Sequence, residues 1–357
     1  GETIPVRGQV LNYTVREPVG VVAGIIPWNF PLLMAAWKVA PALACGNAVI
    51  LKPAEETPLT ALLLGELALE AGFPPGIVNV IPGRGPVTGQ AMVEHPGIDK
   101  IAFTGSTETG RIVMKTAAES LKKVSLELGG KSPNVVFADA DLKAAVRGAI
   151  TGIFYGKGEV CAAGSRLFVE ASIKDEFMEQ LASKAAGMTV GDPNHPKTRL
   201  GAIVSKGQHE RVLSYIEAGI AEGATLRTGG QAATVDGRGY FVEATVFDDV
   251  TPDMTIAREE IFGPVLATLA FEDLDDAVAQ ANQTIYGLAA GVWTRDVGKA
   301  HRFARAVRAG TVWVNTYNRY DPGSPFGGFK QSGFGRDLGE RALEEYTQTK
   351  SVWVALD

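Results

Sequence analysis

The chain has 357 residues, of which 46% are hydrophobic and 21% are charged, and this composition predicts a soluble globular protein large enough for two domains. A formal net charge of −6 gives no sign of nucleic-acid binding, and without an uninterrupted run of about 20 apolar residues we expect no membrane span. The opening GETIPVRGQ lacks the basic and apolar regions of a signal peptide, and two cysteines are too few for a disulfide framework, so we predict a cytoplasmic protein.

The first third of the chain alternates short apolar strands with helical stretches. It opens with two alternating segments around Gly8, which predict a β-hairpin without a core of its own. Five predicted strands then follow, at 19–26, 47–53, 77–83, 98–106 and 124–130. This alternation predicts βαβ units and a doubly wound, mostly parallel sheet. In sheets of this kind ligands bind at the carboxyl ends of the strands, so the loops there are the first candidates for a site.

The α/β pattern continues after Lys131 and predicts a second domain. Strands and helices alternate to about residue 188 and again from 241 to 314, whereas 191–240 is polar and rich in glycine and is assigned no element. The segment SVWVAL near the C-terminus predicts a lone strand. Lone strands at both ends of the chain favour sheet pairing across subunits.

Three residues suit catalysis at a carbonyl group. Cys161 has small neighbours in GEVCAAGSR and would be a good nucleophile as a thiolate, although a buried structural cysteine is the commoner case for one residue. Glu127 stands in the apolar segment LELGGK, where burial would raise its pKa toward that of a general base; an exposed edge-strand glutamate is the alternative. Asn29 lies between two prolines that stiffen its loop and hold its amide toward an oxyanion, whereas an ordinary turn asparagine is commoner.

Two glycine-containing loops that follow predicted strands suit a dinucleotide. The loop 83–89, GRGPVTG, misses the GxGxxG spacing because its third glycine comes one residue late, so it is a weak signal by itself. The loop 104–110, TGSTETG, offers backbone N–H groups to a phosphate where a helix begins. Lys52 and Glu55 follow a strand and suit ribose hydroxyl groups, with solvation at the surface as the alternative. Four histidines without paired Cys/His spacing predict no protein-ligated metal.

Taken together, these segments resemble the aldehyde dehydrogenase superfamily over essentially the whole chain. The joint match is highly specific because the segments occur in the family's order and with its spacing, whereas any one of them would be weak. The matching segments are IIPWNFP, ALACGNAVILKPAEETP, FTGSTETG, LELGGKSP, GEVCAAGSR, EEIFGPV, YGLAAGVWT, GTVWVN and SPFGGFKQSGFGRDLG.

The resemblance implies the catalytic roles. Cys161 matches the family's nucleophile, and Glu127 matches the general base that activates the deacylating water. Asn29 matches the oxyanion-hole amide, which acts together with the backbone N–H of Cys161. Lys38 matches a lysine of the proton-relay path. The implied reaction oxidises an aldehyde to a carboxylic acid with NAD(P)+ through a cysteine thiohemiacetal and a thioester, which water then hydrolyses.

The resemblance also implies NAD as the cofactor, with NADP as the alternative. Lys52 and Glu55 match contacts to the adenosine ribose, and the carboxylate at Glu55 favours NAD because it would repel a 2′-phosphate. Glu260 and Phe262 match contacts on the nicotinamide side. The other residues at matching positions of the cofactor site are Ile26, Pro27, Trp28, Gly85, Gly89, Phe103, Gly105, Ser106 and Leu128.

The fold that the resemblance implies has a doubly wound parallel-sheet cofactor domain, an α/β catalytic domain and small oligomerisation β-strands, with a homodimer or homotetramer as the assembly. We place the oligomerisation hairpin at 1–17, the cofactor domain at 18–129, the catalytic domain at 130–335 and the C-terminal segment with its oligomerisation strand at 336–357. Two features depart from the family. The N-terminal part of the usual cofactor domain is absent, and Gly156 stands where an asparagine is common; we expect that change to be tolerated.

Two other functions fit a chain that keeps this fold. One is a non-catalytic structural or binding protein, like the lens crystallins recruited from this family, and the intact set of Cys161, Glu127 and Asn29 speaks against it. The other is an esterase that forms a thioester without cofactor. We hypothesise medium-chain or aromatic aldehydes as substrates from the aromatic content of the predicted tunnel. The candidate tunnel residues are Tyr155, Tyr317, Asn318, Arg319, Tyr320 and Phe326.

Overall fold

The computed structural model describes residues 1–356, so Asp357, the last residue of the predicted C-terminal segment, lies outside the described residues. The helices are α1 (Pro31–Ala44), α2 (Leu59–Glu70), α3 (Gln90–Glu94), α4 (Thr107–Ala118), α5 (Leu142–Phe154), α6 (Lys174–Ala186), α7 (Lys206–Ala221), α8 (Thr255–Arg258), α9 (Leu274–Ala281), α10 (Val297–Ala306) and α11 (Gly339–Glu345). The strands are β1 (Thr3–Ile4), β2 (Val10–Pro18), β3 (Val21–Ile25), β4 (Ala48–Lys52), β5 (Val78–Val80), β6 (Lys100–Thr104), β7 (Lys123–Glu127), β8 (Pro133–Val136), β9 (Arg166–Glu170), β10 (Thr225–Thr228), β11 (Ala232–Val235), β12 (Arg238–Val242), β13 (Thr245–Asp248), β14 (Val265–Phe271), β15 (Ala289–Trp293), β16 (Thr311–Val314), β17 (Gly333–Phe334) and β18 (Thr347–Ala355).

The chain divides into two compact units. One contains residues 1–127 and 321–326 together with the C-terminal residues from 334 on, and the other contains 128–320 and 327–333. No helix within residues 1–356 combines the length and the apolar character that a bilayer crossing requires.

The first unit is built on parallel strands in the order β7-β6-β3-β4-β5. The chain runs from β3 outward through β4 to β5, and then returns to add β6 and β7 on the other side of β3. Because parallel crossovers are right-handed, this reversal predicts helices on opposite faces of the sheet, which is the doubly wound arrangement. Apolar residues of β3, β4 and α1 form the core, among them Val22, Val49, Leu51 and Val39.

The strands near the two chain ends pair with each other in the same unit. The predicted hairpin forms between β1 and β2, and β18 lies antiparallel on the other side of β2, from Thr347 opposite Pro18 to Ala355 opposite Val10. The strands at the two chain ends are therefore not lone, in contrast to the prediction, and pairing across subunits stays a prediction. Nine residues of β18 match the length of β2, so one chain satisfies these backbone groups itself.

The second unit has strands in the order β10-β13-β14-β9-β8-β15-β16. All neighbours are parallel except β10 and β13, and β11 and β12 form a separate two-stranded hairpin. The central strands are almost wholly buried, in keeping with their mostly apolar sequences. Residues from both sides of this sheet are buried in its core, including Phe168, Phe247 and Phe303.

The region 191–240, to which the sequence analysis assigned no element, contains regular elements. Its main element is α7, a helix of 16 residues, and strands β10 and β11 with the start of β12 follow. Ser205 caps the helix because its Oγ accepts the N–H of Gln208 at 3.2 Å. Glycine at both ends and polar residues on the outer face hide an apolar stripe at helical spacing, formed by Val212, Tyr215, Ile216 and Gly219.

Candidate active site

The predicted site residues of the first unit lie after the carboxyl ends of its parallel strands, along one edge of the sheet. The strand order reverses between β3 and β6, and a reversal of this kind leaves a crevice at that edge. Two groups of residues lie on either side of β3, one after β4 and β5 and the other after β6 and β7. The residues that end or directly follow β3, β4, β6 and β7 are Ile26, Pro27, Trp28, Asn29, Lys52, Phe103, Gly105, Ser106 and Glu127.

Lys52, Glu55 and Gly85 meet at one corner of this edge. The Glu55 Oε1 accepts the N–H of Gly85 at 2.5 Å, which joins the loop after β4 to the loop after β5. Lys52 is only 3% exposed, and its Nζ donates to the carbonyl of Pro53 at 3.0 Å. A Cβ at Gly89 would lie 3.7 Å from Lys52 Cδ, so the lysine stem packs against this glycine. Burial lowers the pKa of Lys52, and the nearby carboxylates oppose that shift.

The second group surrounds the start of α4. Ser106 caps this helix, since its Oγ accepts the N–H of Thr109 at 3.1 Å. The N–H of Gly105 donates to the carbonyl of Glu127 at 3.1 Å, which ties the β6 loop to the end of β7. A Cβ at Gly105 would lie 2.5 Å from the Phe103 ring, so only glycine fits. The result is a glycine turn that leads into the N-terminus of a helix, an arrangement that suits a phosphate group.

Glu127, the last residue of β7, has a buried carboxyl group. It is 5% exposed, and neither carboxylate oxygen has a hydrogen-bond partner among residues 1–356. Burial raises the pKa of Glu127 well above its usual range, and the negative charge of Asp337 raises it further, whereas Lys38 and Arg336 act in the opposite direction. A buried carboxyl group with a raised pKa is a candidate general base.

Lys38 forms a buried ion pair that the sequence analysis did not find. Its Nζ donates to Oδ2 of Asp337 at 2.6 Å, and both side chains are almost fully buried. Asp337 belongs to the family-like segment ending in GRDLG, but it was not assigned a role. The signal was an acidic residue next to apolar and glycine residues, which is weak until its partner from α1 is known.

In the second unit, Cys161 lies in a β-turn. The carbonyl of Val160 accepts the N–H of Ala163 at 3.0 Å, so Cys161 and Ala162 are the two central residues. Cys161 is half-buried and is not in a disulfide. A Cβ at Gly130 would lie 2.4 Å from the carbonyl oxygen of Cys161, so the turn packs closely on this glycine.

The loop before the cysteine explains why glycine replaces asparagine at position 156. Gly156 has φ 57° and Lys157 has φ 61°, both in the left-handed region. Glycine and asparagine are the residues that enter this region at least cost. Lys157 is held in place because its Nζ lies 2.9 Å from Oε2 of the buried Glu159. The exchange at 156 therefore keeps the backbone conformation available.

Glu260 contacts Gly129 and Gly130, two glycines near the start of the second unit. Its Oε1 accepts the N–H of Gly130 at 2.9 Å, and a Cβ at Gly129 would lie 2.2 Å from its Oε2. Burial of the carboxyl raises the pKa of Glu260 to about 7, against the effects of the Gly130 N–H and of Lys131. Leu128, just before these glycines, is buried and donates its N–H to the carbonyl of Ser332 at 3.0 Å.

The loop that carries Glu260 and Phe262 is held by α7. Gln208 Nε2 donates to the carbonyl of Phe262 at 2.8 Å and to that of Ile261 at 3.2 Å. Arg211 donates to the carbonyl of Glu260 at 3.1 Å. Phe262 has φ 60°, a conformation that costs free energy for a non-glycine residue and needs such support.

Comparison with known proteins decides the family. The model of the aldehyde dehydrogenase family matches residues 1–352. The chain is similar to human retinal dehydrogenase 2, with 53% identity over 100% of this chain and 68% of the relative. The chain belongs to the aldehyde dehydrogenase family.

Two solved structures with a TM-score of 0.98 agree with this assignment. An aldehyde dehydrogenase from Bacillus cereus, solved as an NAD+ complex, is 52% identical, and the match covers 100% of this chain and 72% of the other. Indole-3-acetaldehyde dehydrogenase AldA from P. syringae, solved with NAD+ and IAA, is 51% identical over 99% of this chain and 72% of the other.

As an aldehyde dehydrogenase, the protein oxidises an aldehyde to a carboxylic acid. The α/β fold with parallel-sheet cores and small antiparallel strands, the family and the class of reaction were all predicted from the sequence and are confirmed. NAD as the predicted cofactor agrees with the family and with the NAD+ complex of the Bacillus cereus relative.

The candidate tunnel residues of this aldehyde dehydrogenase differ in exposure. Tyr155 and Tyr320 are about half exposed. Tyr317 is buried in the second unit, where its hydroxyl is bonded to the backbone. Phe326 is buried in the first unit against Trp37, with 5.5 Å between the ring centroids. The tunnel-lining role of these residues stays a prediction.

Proposed function

We propose that this aldehyde dehydrogenase uses Cys161 as its nucleophile and Glu127 as its general base. The observation that carries the proposal is the state of Glu127, a buried carboxyl without a hydrogen-bond partner in the described part of the chain and with a raised pKa. Burying such a group without hydrogen bonds costs free energy of folding, and a carboxyl kept in this position despite that cost points to a function. A raised pKa makes the Glu127 carboxylate a stronger base toward water.

Cys161 would attack the aldehyde carbon as a thiolate. The new carbon–sulfur bond leaves negative charge on the carbonyl oxygen, and the backbone N–H of Cys161 with the amide of Asn29 would stabilise it. The turn at 160–163 supports this role because it uses the carbonyl of Val160 internally. The amide N–H of Cys161 belongs to the same trans peptide and so points the opposite way, out of the turn.

Glu127 would act after the thioester has formed. It takes a proton from water while the water oxygen adds to the thioester carbon, and the carbon–sulfur bond then breaks to release the acid and the Cys161 thiolate. Lys38 would belong to the path by which this proton leaves, and its buried pair with Asp337 supports the step because both charges act on the pKa of Glu127.

The residues at the carboxyl edge of the first sheet suit NAD. Lys52 and Glu55 offer an ammonium and a carboxylate to ribose hydroxyl groups, and the glycine turn before α4 offers backbone N–H groups to a pyrophosphate. Glu260, with Phe262 nearby in sequence, would contact the nicotinamide side. The bound cofactor supplies the hydride acceptor that makes the reaction an oxidation.

Replacement of Glu127 by glutamine tests the proposal. The amide cannot take a proton from water, so after aldehyde and NAD+ are added the acyl group should stay on Cys161 and appear in intact-protein mass spectrometry. Cys161→Ala should give no adduct and no NADH, whereas Glu119→Gln at the surface should behave like the parent enzyme. An adduct on another residue, or steady turnover by Glu127→Gln, would overturn the assignment.

Three finer predictions belong to this proposal. Medium-chain or aromatic aldehydes stay the predicted substrates, and the aromatic aldehyde in the name of the P. syringae relative supports them. A kinetic panel with a clear preference for short charged aldehydes would contradict this. A homodimer or homotetramer is supported by the exposed apolar residues of the β1-β2-β18 sheet. A cytoplasmic location stays a prediction from cysteine usage.

A further inference from the structure

Tyr317 fills a slot that three glycines leave open in the second unit. A Cβ at Gly152 in α5 would lie 3.3 Å from the ring, and one at Gly291 in β15 would lie 2.7 Å from it. A Cβ at Gly164, just after the cysteine turn, would lie 3.0 Å from Cζ and 3.1 Å from the hydroxyl oxygen. Larger residues at these positions would displace the ring, so the slot fixes where the Tyr317 hydroxyl lies.

The hydroxyl of Tyr317 donates to the carbonyl of Ala162 at 3.0 Å, and both groups are buried. The same Ala162–Ala163 peptide carries the N–H of Ala163, which donates to the carbonyl of Val160 at 3.0 Å. In a trans peptide the C=O and the N–H point in opposite directions. One peptide is therefore held from both sides, by Tyr317 outside the turn and by Val160 inside it.

This peptide controls the direction of the Cys161 amide. The hydrogen bond from Ala163 to the carbonyl of Val160 closes the turn, and that carbonyl shares a peptide with the N–H of Cys161. As long as the carbonyl points inward, the N–H points outward. Rotation of the Ala162–Ala163 peptide would break both of its hydrogen bonds and release the Val160–Cys161 peptide as well.

We propose that Tyr317 is a positioning residue, whose hydroxyl locks the turn that aims the backbone N–H of Cys161 at the oxyanion. The inference rests on the proposed role of Cys161 as the nucleophile. It separates two properties of Cys161, because the hydrogen bond from Tyr317 fixes the direction of the amide N–H of Cys161 and leaves its thiol unchanged. The rates of thiol reactions that form an oxyanion should therefore depend on the Tyr317 hydroxyl. The rates of thiol reactions that form no oxyanion should not depend on it.

The test compares three reactions of Cys161 in Tyr317→Phe. Aldehyde oxidation and hydrolysis of p-nitrophenyl acetate both pass through an oxyanion, and we expect kcat of each to fall about 5- to 50-fold, less than the 10²–10³ that loss of a whole donor costs. Alkylation by iodoacetamide displaces iodide from carbon without forming an oxyanion. Its rate at Cys161, followed by peptide mass spectrometry to separate it from Cys45, should stay within about twofold, as should the NAD+ Kd.

Two further variants complete the test. Gly164→Ala places a methyl group against the Tyr317 hydroxyl and should give the same selective loss of the two reactions that form an oxyanion. Tyr240→Phe is the control, since it removes a hydroxyl from β12 and should change none of the three rates. Unchanged kcat in Tyr317→Phe, or an equal fall in all three reactions, overturns the inference. If Cys161→Ala still oxidises aldehydes, the proposed function fails instead, so the two failures are distinguishable.

Discussion

Glu127 ends strand β7 with a buried carboxyl, and its titration depends first on that burial and then on the charges around it. Burial raises its pKa, and Asp337 raises it further, while Lys38 and Arg336 offset part of that effect. A base works only when ionised, so its activity is present above its pKa and is lost as the pH falls through it. We expect the acid limb of the pH profile of kcat to lie above the range of an ordinary glutamate.

Asp337→Asn tests this electrostatic account. The change removes the negative charge that contributes to the raised pKa of Glu127 and leaves the Lys38 ammonium without its partner, so the acid limb should move to lower pH. The measurement is kcat against pH, with Asp175→Asn at the surface of α6 as the matched control. A limb that stays in place or moves to higher pH in Asp337→Asn contradicts the account.

Two glycines before Cys161 should respond differently to substitution. Gly156 has φ 57° in the left-handed region, which asparagine also adopts. The free energy of unfolding of Gly156→Asn should therefore lie within about 1 kcal/mol of that of the parent protein. Gly158 has φ 76°, and its Cβ would lie 2.0 Å from the carbonyl oxygen of Gly263. Gly158→Ala should therefore lower the free energy of unfolding by more than about 2 kcal/mol. Denaturant unfolding measures both, and equal stabilities would refute the steric argument.

At the scale of elements, helix α7 stabilises the loop that carries Glu260 and Phe262. Gln208 contributes two hydrogen bonds to carbonyl groups of that loop, which holds Phe262 at a positive φ. Each bond is worth about 1 kcal/mol, and without them the strained loop can relax.

Gln208→Ala should therefore raise KM for NAD+ by several-fold, with a smaller change in KM for the aldehyde. The reason is that the predicted contacts of Glu260 and Phe262 are to the cofactor. Steady-state kinetics measures the effect, and Gln180→Ala on α6 is the matched control because that side chain bonds only to Glu176 in the described residues. Equal changes in both KM values would argue against a role confined to the cofactor side.

At the scale of the whole molecule, the β1-β2-β18 sheet leaves large apolar side chains in contact with water. Trp353 and Leu356 are each 62% exposed, and β18 lies at the edge of this sheet. Exposed apolar residues on an edge strand favour association with another chain.

Trp353→Glu should lower the molar mass measured by light scattering, because a charge there must lose its hydration when the chains associate. Leu121→Glu is the control, since Leu121 is exposed in the loop between α4 and β7. A parent protein that is already monomeric, or a variant with the molar mass of the parent, would rule out this sheet as the interface.

Local sequence patterns predicted many of the strands and loops of this protein. Apolar runs of strand length placed β3, β4, β6 and β7, and glycine loops follow them as predicted, because these signals depend only on neighbouring residues. The apolar stripe of α7 is a local pattern too, but glycine and polar residues around it obscured its helical spacing in the sequence.

Contacts between distant parts of the chain were decided by the tertiary structure alone. The Lys38–Asp337 pair joins residues 299 positions apart, β18 pairs with β2, and the hydroxyl of Tyr317 reaches Ala162, 155 positions away. Each contact depends on how separate elements pack, and the sequence of either partner carries no record of the other. The amino-acid sequence thus determined the family, the fold class and most of the elements, because these depend on local patterns, while packing determined which charges and hydroxyls surround the proposed reactive groups.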